Sequence, residues 1–125
     1  MKSPKGRILC TEDDPDTRDL IIMILRAAGY DVFCTDSPEE TLRLAKTQAF
    51  DLYLMDNWLP NIQGPKLTAI IREFDPRTPI LFYSAAAYET DKESARSAGA
   101  QAYLVKPVEN EKLVEEVERL IRESN

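Results

Sequence analysis

The amino-acid sequence predicts an α/β fold in which a five-stranded parallel sheet carries helices on both faces. Short apolar runs recur at regular intervals along the 125 residues, and segments with helical spacing lie between them. Such alternation is typical of β–α units, whose strands pair in parallel and are covered by helices. Three of the runs are apolar on successive residues, as expected for strands that are buried on both faces. The predicted strands are Ile8–Thr11, Val32–Thr35, Leu52–Met55, Pro79–Tyr83 and Ala102–Val105.

The first two helices are predicted from an apolar stripe and from residues that favour helix ends. Gly29 follows the first helical segment and precedes a strand, a place where a left-handed residue is favoured. Ser37 and Pro38 have the order of an N-cap and a first-turn proline, and two acids follow them. The apolar stripe of the first helix consists of Leu20, Ile21, Ile24, Leu25 and Ala28.

The other three helices are predicted from the same kinds of signal. Gly64–Pro65 begins the third helix and Asp75–Pro76 ends it, while Gly99 follows the fourth. The fifth helix has an apolar face opposite a charged one. We expect disorder in the first few residues and in Glu123–Asn125. The apolar face of the fifth helix consists of Leu113, Val114, Val117, Leu120 and Ile121.

The composition indicates one soluble domain and argues against several classes of function. The length fits a single domain of residues 1–125, and 43% of the residues are hydrophobic and 30% charged. A formal charge of −6, from 22 acids and 16 bases, argues against binding nucleic acid through its phosphates. No run is long and apolar enough for a membrane helix, and Met1–Arg7 leads into no signal-peptide core. We therefore expect contact with neither nucleic acid nor membrane.

The absence of histidine and the use of cysteine narrow the chemistry further. Without histidine, the chain has no Ser-His-Asp triad, no HExxH zinc site and no phosphohistidine of its own. Cys10 and Cys34 form no CxxC pair, so we expect neither a disulfide framework nor a zinc knuckle. Two buried free thiols fit a protein of the reducing cytoplasm.

Polar side chains follow the predicted strands at the edge of the sheet where the carboxyl ends meet. In open α/β sheets this edge is where binding sites form. Three acids follow the first strand, one acid follows the third, a hydroxyl follows the fourth and a lysine follows the fifth. The second strand is less clear, because Thr35 and Asp36 are its nearest polar residues. The residues at the other four strand ends are Glu12, Asp13, Asp14, Asp56, Ser84 and Lys106.

This combination of side chains predicts a phosphoryl-binding site. Carboxylates from two strand ends repel one another and need a cation to remain ionised together. Oxygen ligands without histidine or thiolate favour a hard ion such as Mg²⁺ over zinc. A divalent ion, a lysine and a hydroxyl around one carboxylate can receive a phosphoryl group. That carboxylate can itself act as the nucleophile and become an aspartyl phosphate.

Each of these residues also has a purely structural interpretation when it is taken alone. Asp14 fits the N-cap of the first helix, and Ser84 fits a cap after its strand. Lys106 before a proline fits an ordinary surface residue, and Asp56 alone favours neither interpretation. Their convergence on one edge of the sheet favours the functional one.

The chain resembles the receiver domain of bacterial two-component response regulators from Lys5 to about Ile121. Four segments carry the resemblance, in the family's order and spacing. It implies a single (βα)5 flavodoxin-like domain with strand order 2-1-3-4-5, in the cytoplasm. The four segments are Ile8–Pro15, Phe50–Pro60 followed by Gly64, Pro79–Ala85 and Gly99–Pro107.

The resemblance implies a phosphoacceptor and a magnesium site among the acids. Asp56 would be the phosphoacceptor. Asp13 and Asp56 would bind Mg²⁺ through their side chains and Trp58 through its backbone carbonyl, while Glu12 would hold a metal-bound water. Lys106 would pair with the phosphoryl oxygens.

The resemblance also implies a conformational switch and a set of partners. Ser84 would hydrogen-bond to the phosphoryl group, and Tyr103 would swing inward as Ser84 moves. The face formed by the fourth helix, fifth strand and fifth helix would then change. That face would bind a downstream effector or output domain, or a second copy in a dimer. The phosphoryl donor would be a sensor histidine kinase or a histidine phosphotransfer protein.

The same resemblance implies that the chain is not a turnover enzyme, since it would catalyse only its own phosphorylation and dephosphorylation. Three positions depart from the usual pattern. Glu12 stands where aspartate is commoner, and Ser84 replaces threonine with the same donor and less bulk. Trp58 is unusually large, and its ring either alters dephosphorylation or simply packs against its loop. Tyr103 also has the plain interpretation of a strand aromatic in the core.

Other classes of function stay open at the level of sequence. A receiver-like interaction module that is not phosphorylated would keep the fold, and failure to bind Mg²⁺ would favour it. A haloacid-dehalogenase-type phosphatase would need a second aspartate where Trp58 stands, and a cap domain for which 125 residues leave no room. A nucleotide-binding domain is disfavoured because the chain has neither a P-loop motif nor GxGxxG.

Overall fold

In the computed structural model, which describes residues 4–124, five strands and five helices alternate along the chain. This order confirms the β–α pattern expected from the apolar runs. The strands are β1 Arg7–Thr11, β2 Asp31–Thr35, β3 Leu52–Met55, β4 Ile80–Ser84 and β5 Ala102–Val105. The helices are α1 Pro15–Ala27, α2 Pro38–Thr47, α3 Gly64–Phe74, α4 Glu89–Ala98 and α5 Asn110–Ser124.

The strands pair in parallel in the order β2-β1-β3-β4-β5, which confirms the predicted topology. The register places Thr11 of β1 opposite Met55 of β3. The next residue of each strand, Glu12 and Asp56, therefore leaves the sheet at the same edge. The pairing of β1 with β3 thus brings together two acids that lie far apart in the sequence.

Each face of the sheet has its own hydrophobic core, because side chains alternate between faces along a strand. Ile8 and Cys10 of β1 pack with residues of α1 and α5. Leu9 packs on the other face, in the cluster that includes Leu67 of α3 and Ala95 of α4. The continuous apolar runs of the sequence are therefore strands covered by helices on both faces.

The helix ends largely follow the predicted capping residues. Asp14 is the N-cap of α1, since its carboxylate accepts a hydrogen bond from the Thr17 backbone N–H at 2.9 Å. Ser37 caps α2 in the same way. Gly29 and Gly99 have positive φ angles of 100° and 121° after α1 and α4. These left-handed positions explain why glycine follows both helices.

Four predicted strand ends and one expectation of disorder are wrong. β1 begins at Arg7 rather than Ile8, and β2 begins at Asp31 rather than Val32. β4 begins at Ile80 and includes Ser84, rather than running from Pro79 to Tyr83; Pro79 has no N–H to donate to a neighbouring strand. The expected disorder at the carboxyl end is wrong for Glu123 and Ser124, which belong to α5. The Ser124 hydroxyl donates to the Ile121 carbonyl at 3.0 Å. Residues 1–3 and 125 lie outside the described part of the chain.

Two further expectations concern the burial of the cysteines and the absence of a membrane-spanning helix. Cys10 and Cys34 are both free thiols. Cys10 is buried as predicted, whereas Cys34, opposite it on the edge strand β2, is only half-buried. Among residues 4–124, no helix combines the length and the apolar character needed to cross a membrane.

Candidate functional site

Three acids converge at the carboxyl edge of the sheet. Glu12 and Asp13 follow β1, and Asp56 follows β3. One carboxylate oxygen from each lies within 4.8 Å of the other two. Glu12 and Asp56 are only 1% and 7% exposed, whereas Asp13 faces solvent. The cluster therefore has a buried floor and one exposed acid at its mouth.

Lys106, which follows β5, provides the positive charge of this cluster. Its Nζ lies 2.6 Å from Glu12 Oε1 and 3.8 Å from Asp56 Oδ2. Burial lowers the pKa of Lys106, but the hydrogen bond to Glu12 and the charge of Asp56 outweigh this effect and raise it. The ammonium group is therefore firmly protonated at neutral pH. The Lys106–Pro107 peptide bond is cis.

The charge of the cluster is only partly compensated. Burial raises the pKa of Glu12 to about 7, although the Lys106 hydrogen bond acts in the opposite direction, and the nearby charge of Asp56 adds to the rise. Arg18 lies close by, but its guanidinium donates to the backbone carbonyl of Glu12 at 3.0 Å rather than to a carboxylate. Within residues 4–124, the cluster of three carboxylates thus has one lysine, which contacts Glu12 and Asp56.

Asp56 keeps an oxygen free for a ligand. Asp56 Oδ1 is one of two buried side-chain oxygens without a hydrogen-bond partner among residues 4–124; the other is Thr68 Oγ1, on α3. A buried, unpaired carboxylate oxygen beside two further carboxylates has the chemistry of a hard divalent cation site. The residues of this edge therefore fit Mg²⁺.

The loop between β3 and α3 comes close to this cluster. Trp58 lies in that loop and is 55% exposed as a whole residue, so extensive packing of its side chain against the loop is not seen. Gly64 donates its backbone N–H to the Asn57 carbonyl at 2.8 Å. A side chain at Gly64 would meet the ring of Phe82 at 2.8 Å and the carbonyl of Asp56 more closely still. Only glycine fits there.

Ser84 and Tyr103 are linked through the loop that follows β4. Ser84 is fully buried at the end of β4, and its Oγ accepts from the Ala86 backbone N–H at 3.2 Å. The Tyr103 hydroxyl donates to the Ala86 carbonyl at 2.6 Å and accepts from Asn57 Nδ2 at 3.1 Å. The Tyr103 ring stacks on Phe82, with centroids 5.5 Å apart and planes 12° apart.

The structure brings together Glu12, Asp13, Asp56 and Lys106, whereas Ser84 and Tyr103 are joined to each other through Ala86. Asp14 caps α1 and places no ligand oxygen in the acidic cluster, so its structural interpretation is correct. Asn57 lies within the site although the sequence analysis did not single it out. Its position directly after the predicted acceptor strand, beside Asp56, was the available signal.

The chain belongs to the response regulator receiver domain family, because the sequence model of that family matches residues 8–118. It is 36% identical, over 96% of its length, to a probable transcriptional regulatory protein of Picosynechococcus. It is 30% identical, over 94% of its length, to the cell cycle transcriptional regulator CtrA of Caulobacter vibrioides. The chain covers 51% of each protein, so it spans about half the length of these relatives.

Solved structures that are similar to this chain are also receiver domains. A CheY-like receiver domain protein from Methanospirillum hungatei has a TM-score of 0.90 and 29% identity, covering 94% of each chain. The receiver domain of a sensor histidine kinase from Pseudomonas aeruginosa has a TM-score of 0.87 and 34% identity, covering 94% of this chain and 98% of that one. That structure has a magnesium ion coordinated in its active-site cleft. The chain therefore has the CheY-like fold of receiver domains in two-component signalling.

Proposed function

We propose that the chain is one receiver domain, with its core from about residue 5 to residue 121, that accepts a phosphoryl group on Asp56. The observation that carries this proposal is the free, buried Oδ1 of Asp56, whose other carboxylate oxygen, Oδ2, lies 3.8 Å from the ammonium group of Lys106. A carboxylate in this position can attack phosphorus, and the lysine can pair with the oxygens of the incoming group.

The residues that would hold Mg²⁺ are the side chains of Asp13 and Asp56 and the backbone carbonyl of Trp58, with Glu12 acting through a water. The ion would neutralise charge on the phosphoryl oxygens. An oxygen of Asp56 forms the new bond to phosphorus, and the bond from phosphorus to the donor histidine breaks. The imidazole leaves with that electron pair. Lys106 supplies a fixed positive charge throughout.

Phosphorylation would then change the α4–β5–α5 face. It adds charge and strong acceptor oxygens at Asp56, and the hydroxyl of Ser84, at the end of β4, would be the donor to them. Ser84 is bound to Ala86, which also accepts from Tyr103, so movement of Ser84 reaches β5 through this loop. A partner that prefers the changed face stabilises it further.

The proposed donor is a sensor histidine kinase or a histidine phosphotransfer protein, because the chain has no histidine. The proposed reader of the α4–β5–α5 face is a downstream effector or output domain, and a dimer would use the same face. The net charge of −6 supports a function without direct nucleic-acid binding. The free thiols of Cys10 and Cys34 support a cytoplasmic location. The domain acts as a switch rather than as a turnover enzyme.

The test is intact mass after incubation with acetyl phosphate and Mg²⁺. The parent protein should gain about 80 Da, one phosphoryl group, and Asp56→Asn should gain none. Asp19→Asn, which changes an exposed aspartate on α1, should gain the same mass as the parent. A gain in Asp56→Asn equal to that of the parent would show that another residue is the acceptor.

Magnesium binding is measured separately through the single tryptophan. Adding Mg²⁺ should alter the fluorescence of Trp58, and Asp13→Asn should weaken this response because it removes one of the clustered carboxylates. Binding of Mg²⁺ without any phosphorylation by acetyl phosphate or a histidine donor would favour the alternative, a receiver-like interaction module that is not phosphorylated.

A further inference from the structure

The amide of Asn57 is placed where it can control the position of Tyr103. Asn57 is 6% exposed and follows the acceptor directly. Its Nδ2 donates to the Tyr103 hydroxyl across 46 positions of sequence. The hydroxyl in turn donates to the carbonyl of Ala86, whose N–H donates to Ser84. The loop after β3 is thereby joined to the end of β4 and to β5.

This series of hydrogen bonds requires a donor at position 57, and the amide of Asn57 supplies it. A carbonyl oxygen can only accept, so the proton of the Tyr103 hydroxyl is committed to Ala86. The hydroxyl can then only accept from Asn57, which must supply an N–H. A carboxylate or an aliphatic side chain at this position could not donate. In a buried site, the loss of this donor leaves the Tyr103 hydroxyl with an unmade hydrogen bond, which costs free energy.

We propose that Asn57 is a positioning residue that holds Tyr103 in its docked position before phosphorylation. The docked position is the one observed here, with the ring stacked on Phe82 and the hydroxyl bound to Ala86. Through Ala86, the same contact fixes the hydroxyl of Ser84 at the end of β4. The effect on phosphorylation rests on the function proposed above, whereas the effect on the position of Tyr103 does not.

The first test measures the tyrosine ring by NMR in unphosphorylated protein without Mg²⁺, with ring-labelled tyrosine. The signals of Tyr103 are identified by their loss in Tyr103→Phe. In Asn57→Leu, they should lose the ring-current shift from Phe82 and move towards those of the exposed Tyr88. Unchanged Tyr103 signals in Asn57→Leu would overturn the proposal.

The control is Gln63→Leu, the same kind of amide-to-leucine change at an exposed residue of the same loop. Gln63 precedes α3, and its side chain makes no capping hydrogen bond. The Tyr103 signals should therefore remain those of the parent. If Gln63→Leu moves them as far as Asn57→Leu does, the effect belongs to the loop as a whole, and the proposal fails.

The second test is a double-mutant cycle on the initial rate of phosphorylation by acetyl phosphate. Asn57→Leu and Tyr103→Phe should each slow the reaction about fivefold, as expected for one neutral hydrogen bond. The double variant should be no slower than either single one, because both changes break the same chain of contacts. A loss of about 25-fold in the double variant, the product of two independent effects, would overturn the proposal. If the parent is not phosphorylated, the proposed function fails, and the NMR result still decides the role of Asn57.

Discussion

At the amino-terminal edge of the sheet, the carboxylate of Asp75 accepts hydrogen bonds from the hydroxyls of Tyr53 and Thr78 and from two backbone N–H groups. Burial would raise the pKa of Asp75, but these donors outweigh it and hold the pKa below its usual value. At the carboxyl edge, Glu12 is more deeply buried, and Lys106 does not prevent the rise of its pKa to about 7. One fold thus contains a fully paired acid at one edge and a poorly compensated one at the other.

The contrast shows where the molecule keeps capacity for a ligand. The amino-terminal edge satisfies its polar groups internally; Arg72, for example, donates to the carbonyls of Gly99 and Asp75. The carboxyl edge leaves Asp56 Oδ1 without a partner. A buried group that is unpaired costs stability, so its retention fits a site that is completed by a bound cation.

The largest expected effect comes from removing the basic side chain at each edge, Lys106 at the carboxyl edge and Arg72 at the amino-terminal edge. Lys106→Ala should slow phosphorylation by acetyl phosphate about 100-fold, the size of effect found when one preorganised charge or donor is lost. Magnesium binding, followed by Trp58 fluorescence, should remain largely intact because the three carboxylates are still present. Phosphorylation at the rate of the parent protein would exclude the proposed role of Lys106.

The matched change at the amino-terminal edge is Arg72→Ala. It removes hydrogen bonds to the carbonyls of Gly99 and Asp75 and to the Gln101 side chain, and should therefore lower the unfolding free energy. The folded fraction should still be phosphorylated at the rate of the parent. If both variants lose phosphorylation equally, the division of function between the two edges does not hold.

The fold and the acidic site could be predicted because both depend on patterns that are local in sequence. Parallel strands share an edge, so an acid after β1 and an acid after β3 had to converge once the pairing was fixed. Asp14 could not be assigned from sequence, since one carboxylate fits equally well as a helix cap and as a ligand. The contact of Asn57 with Tyr103 could not be predicted either, because it depends on which way the ring turns once it packs on Phe82.

Two glycines, one near each edge of the sheet, differ in what an added side chain would meet. At Gly64, an added Cβ would meet backbone at Asp56 and the ring of Phe82, whereas at Gly6 it would meet the Asp51 side chain at 3.2 Å. Gly64→Ala should therefore lower the unfolding free energy by roughly 3 kcal/mol in urea denaturation and weaken magnesium binding. Gly6→Ala should cost less than about 1 kcal/mol, because a side chain can move where backbone cannot. Equal losses would show that the tight approach at Gly64 is not special.

The smallest expected effect is the opposite dependence of the two edges on pH. The pKa of Glu12 rises from an ordinary value of 4.5 to about 7 on folding, so the folded protein holds this proton more tightly. Without Mg²⁺, the parent should therefore lose stability relative to Glu12→Gln as the pH rises from 4.5 to 7. The difference should be roughly 2 kcal/mol, below the full value of the shift because solvent at Asp13 screens the charge.

Asp75→Asn should show the reverse dependence of stability on pH, because the pKa of Asp75 is lowered on folding from its ordinary 3.8. Its stability deficit should be present at neutral pH and should shrink as the pH falls below 3.8. Thermal unfolding of the parent, Glu12→Gln and Asp75→Asn, from below pH 3.8 up to pH 7, measures both pH dependences. If the stabilities of Glu12→Gln and the parent change in parallel with pH, Lys106 fully compensates Glu12.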